Sequence, residues 1–206
     1  MPRKTRPIER ELEPFRDASL LIIASEDTHA VEEYFTRFRA RRVKFKVLPT
    51  DDGCSSPKDV LERLDEFRKE FPEDGDQFWY CGDTDHWIRP GHIKNLTEVL
   101  QQCRQKGYRV AISRPCFEFW LLLHFSEPSL PSDVTCADIV SQLRKFAQGY
   151  SKKSGCVRSR TPQMVVDATR RAKATSAVTE QIPSSPASQV YLIVEVLMER
   201  ESIDLS

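Results

Sequence analysis

The chain has 206 residues, of which 39% are apolar and 30% charged, and its 31 Lys and Arg balance 31 Asp and Glu. That length and apolar share suit one domain, or one domain with an appended subdomain. The neutral total gives no global pull toward a polyanion, and no apolar run approaches the roughly 18 residues that a membrane span requires. The N-terminal Met1-Pro2-Arg3-Lys4-Thr5-Arg6 leads into polar residues, not into the apolar stretch of a signal peptide, so the expected location is cytoplasmic. Cys54, Cys81, Cys103, Cys116, Cys136 and Cys156 are widely scattered, with no Cys-x-x-Cys pair. A zinc site usually shows close pairs and a disulfide scaffold is usually short and secreted, so free buried thiols are expected.

Residues 1–18 read as a basic arm. Ser19-Leu20-Leu21-Ile22-Ile23-Ala24 is a continuous apolar run, the pattern of a buried parallel strand. Val31, Tyr34, Phe35 and Phe38 follow at helical spacing, and Val43-Lys44-Phe45-Lys46-Val47 alternates as a strand with one wet face. Pro57 sits where a helix begins, and Val60, Leu61, Leu64, Phe67 and Phe71 supply its apolar stripe. After a break at 72–76, residues 77–82 make a third strand. Leu96, Val99, Leu100 and Cys103 mark a helix ending near Gly107, and Tyr108 to Ile112 is a fourth strand. Strands alternating with helices imply an α/β fold: a Rossmann-like parallel sheet of about four strands flanked by helices. Residues 116–125 are nearly all apolar and read as a deeply buried helix. Residues 126–133 look like a linker, and helices are expected at about 135–147, 162–180 and 187–199. The expected division is an α/β domain over 19–125 and a helical C-terminal region over 126–206.

The chemistry concentrates at strand ends. Asp83-Thr84-Asp85 closes the third strand and Glu26 follows the first. In open parallel sheets, ligands gather at the carboxyl ends of the strands. Glu118 lies early in the buried helix, where an idle charge is expensive. Four carboxylates converging on one point would not all stay ionised without a cation between them. The plainer reading makes Glu26 and Asp83 helix caps and Asp85 a turn residue. His86 and His92 flank the same loop, although His92 also suits a helix start. His124, six residues after Glu118, is displaced by about 120° around a helix, which suits a supporting role better than ligation.

Basic residues cluster at Arg37, Arg39, Arg41, Arg42, Lys44 and Lys46, and again at Lys152, Lys153, Arg158, Arg160, Arg170, Arg171 and Lys173. Either stretch is a solvated face or a local phosphate contact. There is no glycine-rich phosphate loop and no serine nucleophile elbow, so phosphate chemistry here would rest on a metal.

Three blocks of the chain resemble the RloB family of bacterial defence proteins. They are Leu20–Ala24 running into Glu26 with Tyr34-Phe35 beyond it, Trp79-Tyr80-Cys81-Gly82-Asp83-Thr84-Asp85-His86, and Ser113-Arg114-Pro115-Cys116-Phe117-Glu118-Phe119-Trp120-Leu121-Leu122-Leu123-His124-Phe125. Ser185-Pro186-Ala187-Ser188 extends the match weakly toward the C-terminus. Family members carry Glu-Gly-x-x-Thr-Glu after the first strand. This chain has Glu26-Asp27-Thr28-His29-Ala30-Val31, which keeps only the first acid.

The resemblance implies a topoisomerase–primase-like (Toprim) domain with Glu26, Asp83 and Asp85 as ligands of Mg²⁺ or Mn²⁺ and Glu118 as a fourth catalytic acid. It implies a nuclease acting on DNA or RNA, including transfer RNA, within a system that aborts phage infection and is controlled by an AAA or ABC-type ATPase encoded nearby. Arg114, Lys152 and Lys153 are then candidates for substrate phosphates, with His86 and His124 in support. The alternative is a non-catalytic Toprim-like subunit that binds nucleic acid or the ATPase. Phosphoryl transfer of the primase type lacks an accompanying nucleotide-binding segment.

Overall fold

The computed structural model describes residues 18–27, 29–50, 54–72, 75–87, 92–147, 149–151, 160–175 and 180–205. The expected basic arm therefore lies almost wholly outside the described residues, as do Lys152, Lys153 and Arg158.

The first four strands are β1 (Ser19–Ser25), β2 (Val43–Leu48), β3 (Gln77–Asp83) and β4 (Arg109–Arg114). They pair in parallel, and a fifth, β5 (Ala187–Ser188), pairs antiparallel with β4, giving the order β2-β1-β3-β4-β5. The α/β expectation is met, with one strand more than the alternation announces. β2 lies at the edge, as its alternation suggests, with Lys44 exposed between buried Val43 and Val47.

Helix α1 (Ala30–Phe35) follows β1, and α2 (Pro57–Glu70) follows β2. Helix α3 (Ile93–Gln105) then leads to β4. Ser56 and Asp59 form a capping box that starts α2, with Pro57 just inside the helix. Beyond α3, Gly107 turns the chain at a φ of +75°, a backbone region that favours glycine. Helix α4 (Phe117–Leu123) is the apolar helix foreseen, and all of its residues are buried. Helices α5 (Cys136–Phe146), α6 (Pro162–Thr175) and α7 (Tyr191–Met198) complete the fold, with α4 touching both α5 and α6.

The period of two along β1 sorts its side chains between two cores. Leu21 and Ile23 join the residues of α1, α4, α5, α6 and α7 on one face, while Leu20, Ile22 and Ala24 join those of α2 and α3 on the other. Burial on both faces explains why β1 reads as an unbroken apolar run.

Two expectations need correction. Residues 187–188 are strand, not helix, and α7 begins at Tyr191. The segment is held by partners far away in sequence: Ser188 Oγ lies 2.9 Å from Ser113 Oγ, and Gln189 Oε1 accepts from the Ile112 amide at 3.0 Å. Nor are all the cysteines free. Cys116 and Cys136 form a disulfide with Cα atoms 5.7 Å apart, because packing of α4 against α5 brings together two positions 20 residues apart. Cys54, Cys81 and Cys103 are free thiols, and Cys156 lies outside the described residues. No described helix is long and apolar enough to cross a membrane.

Candidate functional site

The chain leaves β1 toward β2 on one side and later returns to β3 on the other, so the sheet changes direction between β1 and β3. A crevice outside the carboxyl ends of such a pair is the usual ligand position in open α/β sheets. Ser25 pairs with Cys81 at the last step of this register. The next residues out are Glu26 on one strand and Gly82 and Asp83 on the other.

Glu26 is fastened across that gap. Its Oε1 accepts from the Asp83 amide, and its Oε2 accepts from Trp87 Nε1 at 2.8 Å. Gly82 makes room for the carboxylate: a Cβ there would meet Glu26 Oε1 at 3.3 Å and the Tyr80 ring at 2.7 Å. The Asp83-Thr84-Asp85 loop is tied to the segment after β4. The Thr84 amide donates to the Ser113 and Pro115 carbonyls at 3.1 and 3.0 Å, and the Asp85 amide donates to the Pro115 carbonyl at 3.0 Å.

The electrostatics are those of crowded acids. Burial, above all, pushes the Glu26 carboxyl up to about 7, with Asp85 and Asp27 adding repulsion and the hydrogen bonds from Asp83 and Trp87 opposing the rise. Asp83 is raised well above the usual carboxylate range by burial first, then by Glu26, Glu118, Asp85 and Asp27. Without a compensating cation such groups hold protons instead of charge. Two fully buried polar atoms in the same neighbourhood, Tyr80 Oη and Thr84 Oγ1, have no hydrogen-bond partner among the described residues.

The sequence-selected residues fall into distinct places. Glu26, Asp83 and Asp85 share one electrostatic site, and Glu118 acts on Asp83 from behind it. Glu118 itself is 1% exposed; its Oε1 accepts from Tyr150 Oη at 3.2 Å, and its Oε2 lies 3.6 Å from Cys136 Sγ. His86 is exposed, with Nε2 3.6 Å from Asp85 Oδ2. His92 precedes α3, and its ring lies 5.9 Å from that of Trp87. His124 is buried elsewhere, with Nε2 3.2 Å from Tyr34 Oη and Nδ1 2.9 Å from the Trp120 carbonyl. Burial and then Arg160 lower it to about 3, so it stays neutral. Arg114 donates to the Pro183 carbonyl at 3.1 Å.

The second basic stretch is partly absorbed into the fold. Arg160 stacks on the Tyr34 ring, Arg171 donates to the Leu123 carbonyl, and Lys173 pairs with Glu195. In the first stretch, the amides of Arg41 and Arg42 donate to the Glu201 carboxylate.

Asp27, Tyr80, Thr84, Trp87 and Tyr150 escaped the sequence reading. Asp27 carries a signal, since it doubles the acid after β1. Its carboxylate also accepts from the amides of His29 and Ala30 where α1 begins, a role that Glu26 does not take. Trp87 and Tyr150 carry none, because only the fold brings them to carboxylates.

Among the described residues, one group of three His, Cys, Asp or Glu side chains places its ligand atoms within 4.8 Å of one another: Cys116, Glu118 and Cys136. Glu26, Asp83 and Asp85 thus share a field without forming a closed three-ligand cage. That arrangement still suits a hard ion, since Mg²⁺ usually takes one or two carboxylates and fills its shell with water and phosphate.

A family model described as RloB-like protein matches residues 21–197. No curated protein and no solved structure matches the chain.

Proposed function

The chain belongs to the RloB-like family, and from that premise we propose that it is a Toprim-like nuclease dependent on Mg²⁺ or Mn²⁺, cleaving DNA or RNA phosphodiester bonds in a phage-defence system under the control of a partner ATPase. The observation that carries the reading is the pair Glu26 and Asp83. The carboxyls of two acids at the carboxyl ends of adjacent parallel strands are both raised, by burial first and then by mutual repulsion within the acid cluster. A divalent cation held there would offset that repulsion.

In this reading Asp83 and Asp85 hold the ion, and Glu26 joins them while positioning the Asp83 backbone through its amide. The ion supplies Lewis-acid polarisation of the phosphoryl oxygen and a lowered pKa for the attacking water. Trp87 orients Glu26. Glu118, closed off from solvent, adds to the repulsion that raises Asp83. Lys152 and Lys153 stay candidates for phosphates flanking the scissile bond. Arg114 stays a candidate as well, since its Nη1 donates to the Pro183 carbonyl and a guanidinium carries further donors.

The test is cleavage of labelled single- and double-stranded DNA and of transfer RNA by the purified chain with its partner ATPase. Wild type with Mg²⁺ or Mn²⁺ is expected to cut at least one of them; chelation and Asp83→Asn are expected to abolish the cut. Cleavage that survives both overturns the reading.

One observation favours a second reading. Glu26 already has hydrogen-bond donors on both oxygens, so the cluster is partly satisfied within the protein. A non-catalytic subunit that binds nucleic acid or the ATPase would have this feature, and its binding would survive Asp83→Asn and Glu26→Gln together.

A further inference from the structure

A second cluster stands apart from the strand-end acids. Cys116 caps the start of α4, Glu118 lies in its first turn, and Cys136 is the first residue of α5. Their ligand atoms lie within 4.8 Å of one another, and Cys116 and Glu118 are 0% and 1% exposed. A tetrahedral zinc ion with Zn–S bonds of about 2.3 Å and a Zn–O bond of about 2.1 Å spaces its ligand atoms roughly 3.5–3.8 Å apart. The 3.6 Å between Cys136 Sγ and Glu118 Oε2 fits that spacing, and opening the disulfide frees the two sulfurs to move apart to it. Two sulfurs and one carboxylate are also the donor set that selects a soft or borderline ion over Mg²⁺. Disulfides, by contrast, are rare where glutathione and thioredoxin keep thiols reduced.

We propose that Cys116, Cys136 and Glu118 bind one zinc-class divalent ion whenever the cysteine pair is reduced. The disulfide of the structure is then the metal-free, oxidised form of the same site. A small thiol reductant, as its reduced form RSH, converts it: the Cys116–Cys136 bond breaks, two RSH give RSSR, and the two electrons and two protons pass to the cysteines. Metal binding then releases both thiol protons and forms two metal–sulfur bonds. Glu118 supplies the oxygen ligand, and the fourth position is open to water. The ion ties α4 to α5, as the disulfide does. The site shares Glu118 with the nuclease reading, but its metal binding rests on sulfur and needs no substrate and no strand-end acid.

The experiment uses the full chain, stripped of metal, and Co²⁺ as the probe. Reduced wild type is expected to take up one Co²⁺ with an intense near-ultraviolet sulfur-to-cobalt band, which one equivalent of Zn²⁺ removes. Oxidised wild type is expected to lack the band and regain it on reduction, a comparison that needs no mutant to fold. Cys136→Ser is expected to lose it, while Cys54→Ser and Asp83→Asn keep it. Absence of the band from reduced wild type overturns the proposal. So does its persistence in oxidised wild type or in Cys136→Ser, and so does its loss in Cys54→Ser or Asp83→Asn, which would make the band depend on residues outside the trio.

Discussion

The two acid-bearing clusters are built in opposite ways. At the ends of β1 and β3, Glu26, Asp83 and Asp85 bring negative charge together without bringing three ligand atoms together. At the starts of α4 and α5, Cys116, Glu118 and Cys136 bring ligand atoms together around sulfur. The first arrangement is not a closed ligand set, and a hard ion such as Mg²⁺ needs only one or two carboxylates. The second is compact and sulfur-rich, which suits a soft or borderline ion. The lesson is that crowded charge and close ligand atoms are separate signals, and this chain carries one at each cluster.

The comparison breaks most sharply at Asp83. Replacing it with Asn should lower metal-dependent cleavage by a factor of about 100 or more, the loss expected when a principal electrostatic contributor is removed. Cleavage rate is the readout. A loss below tenfold would shift catalytic weight away from the strand ends.

The next largest effect is on stability against pH. Glu26 has a folded pKa of about 7, above its ordinary 4.5. Its contribution to stability is therefore complete below about pH 4.5 and is lost as pH rises through about 7, on the order of 3 kcal/mol in all. Asp83 shifts in the same direction. Without metal, the protein should melt lower at about pH 8 than at about pH 6, and Mg²⁺ should recover more of the melting temperature at the higher pH. Calorimetry at both pH values checks this. Equal stabilisation by Mg²⁺ at both would separate the acids from any metal.

Gly82→Ala comes third. The new Cβ would press on the Tyr80 ring at 2.7 Å and on Glu26 at 3.3 Å. Crowding of this kind costs about 1–3 kcal/mol, and metal affinity should fall because Glu26 is displaced. Denaturant titration with and without Mg²⁺ measures both, and an unchanged midpoint would mean that the crevice is looser than its geometry.

Trp87→Phe is the mildest change at the site. Loss of the Nε1 donor to Glu26 Oε2 removes one group that lowers the Glu26 pKa, so the alkaline-rising limb of the cleavage profile should move to higher pH. An unmoved limb would mean that Trp87 does not set the protonation of Glu26.

Much of the crevice was legible in the chain itself. The apolar run before Glu26, the run before Asp83-Thr84-Asp85, and the helical stripes between them declare parallel strands with acids at their carboxyl ends, because burial and periodicity are local properties of sequence. Glu118 was legible by contrast, as one charge inside an apolar helix. Asp27 was legible only in part: its acidity shows, whereas its bonds to the amides where α1 begins depend on where the chain turns. His124 sits in an equally suggestive place, yet its ring goes to Tyr34 and Trp120, which no spacing rule announces.

The sequence by itself determined the α/β alternation, the burial of β1 on both faces, and which residue types stand at the strand ends. Tertiary structure alone decided that β1 lies between β2 and β3, that β5 adds an antiparallel strand to β4, and that Cys136 arrives beside Cys116. The physical reason is range. Periodicity and capping act over a few residues and are written in neighbouring positions, whereas pairing a two-residue strand or meeting a distant cysteine depends on how whole helices pack.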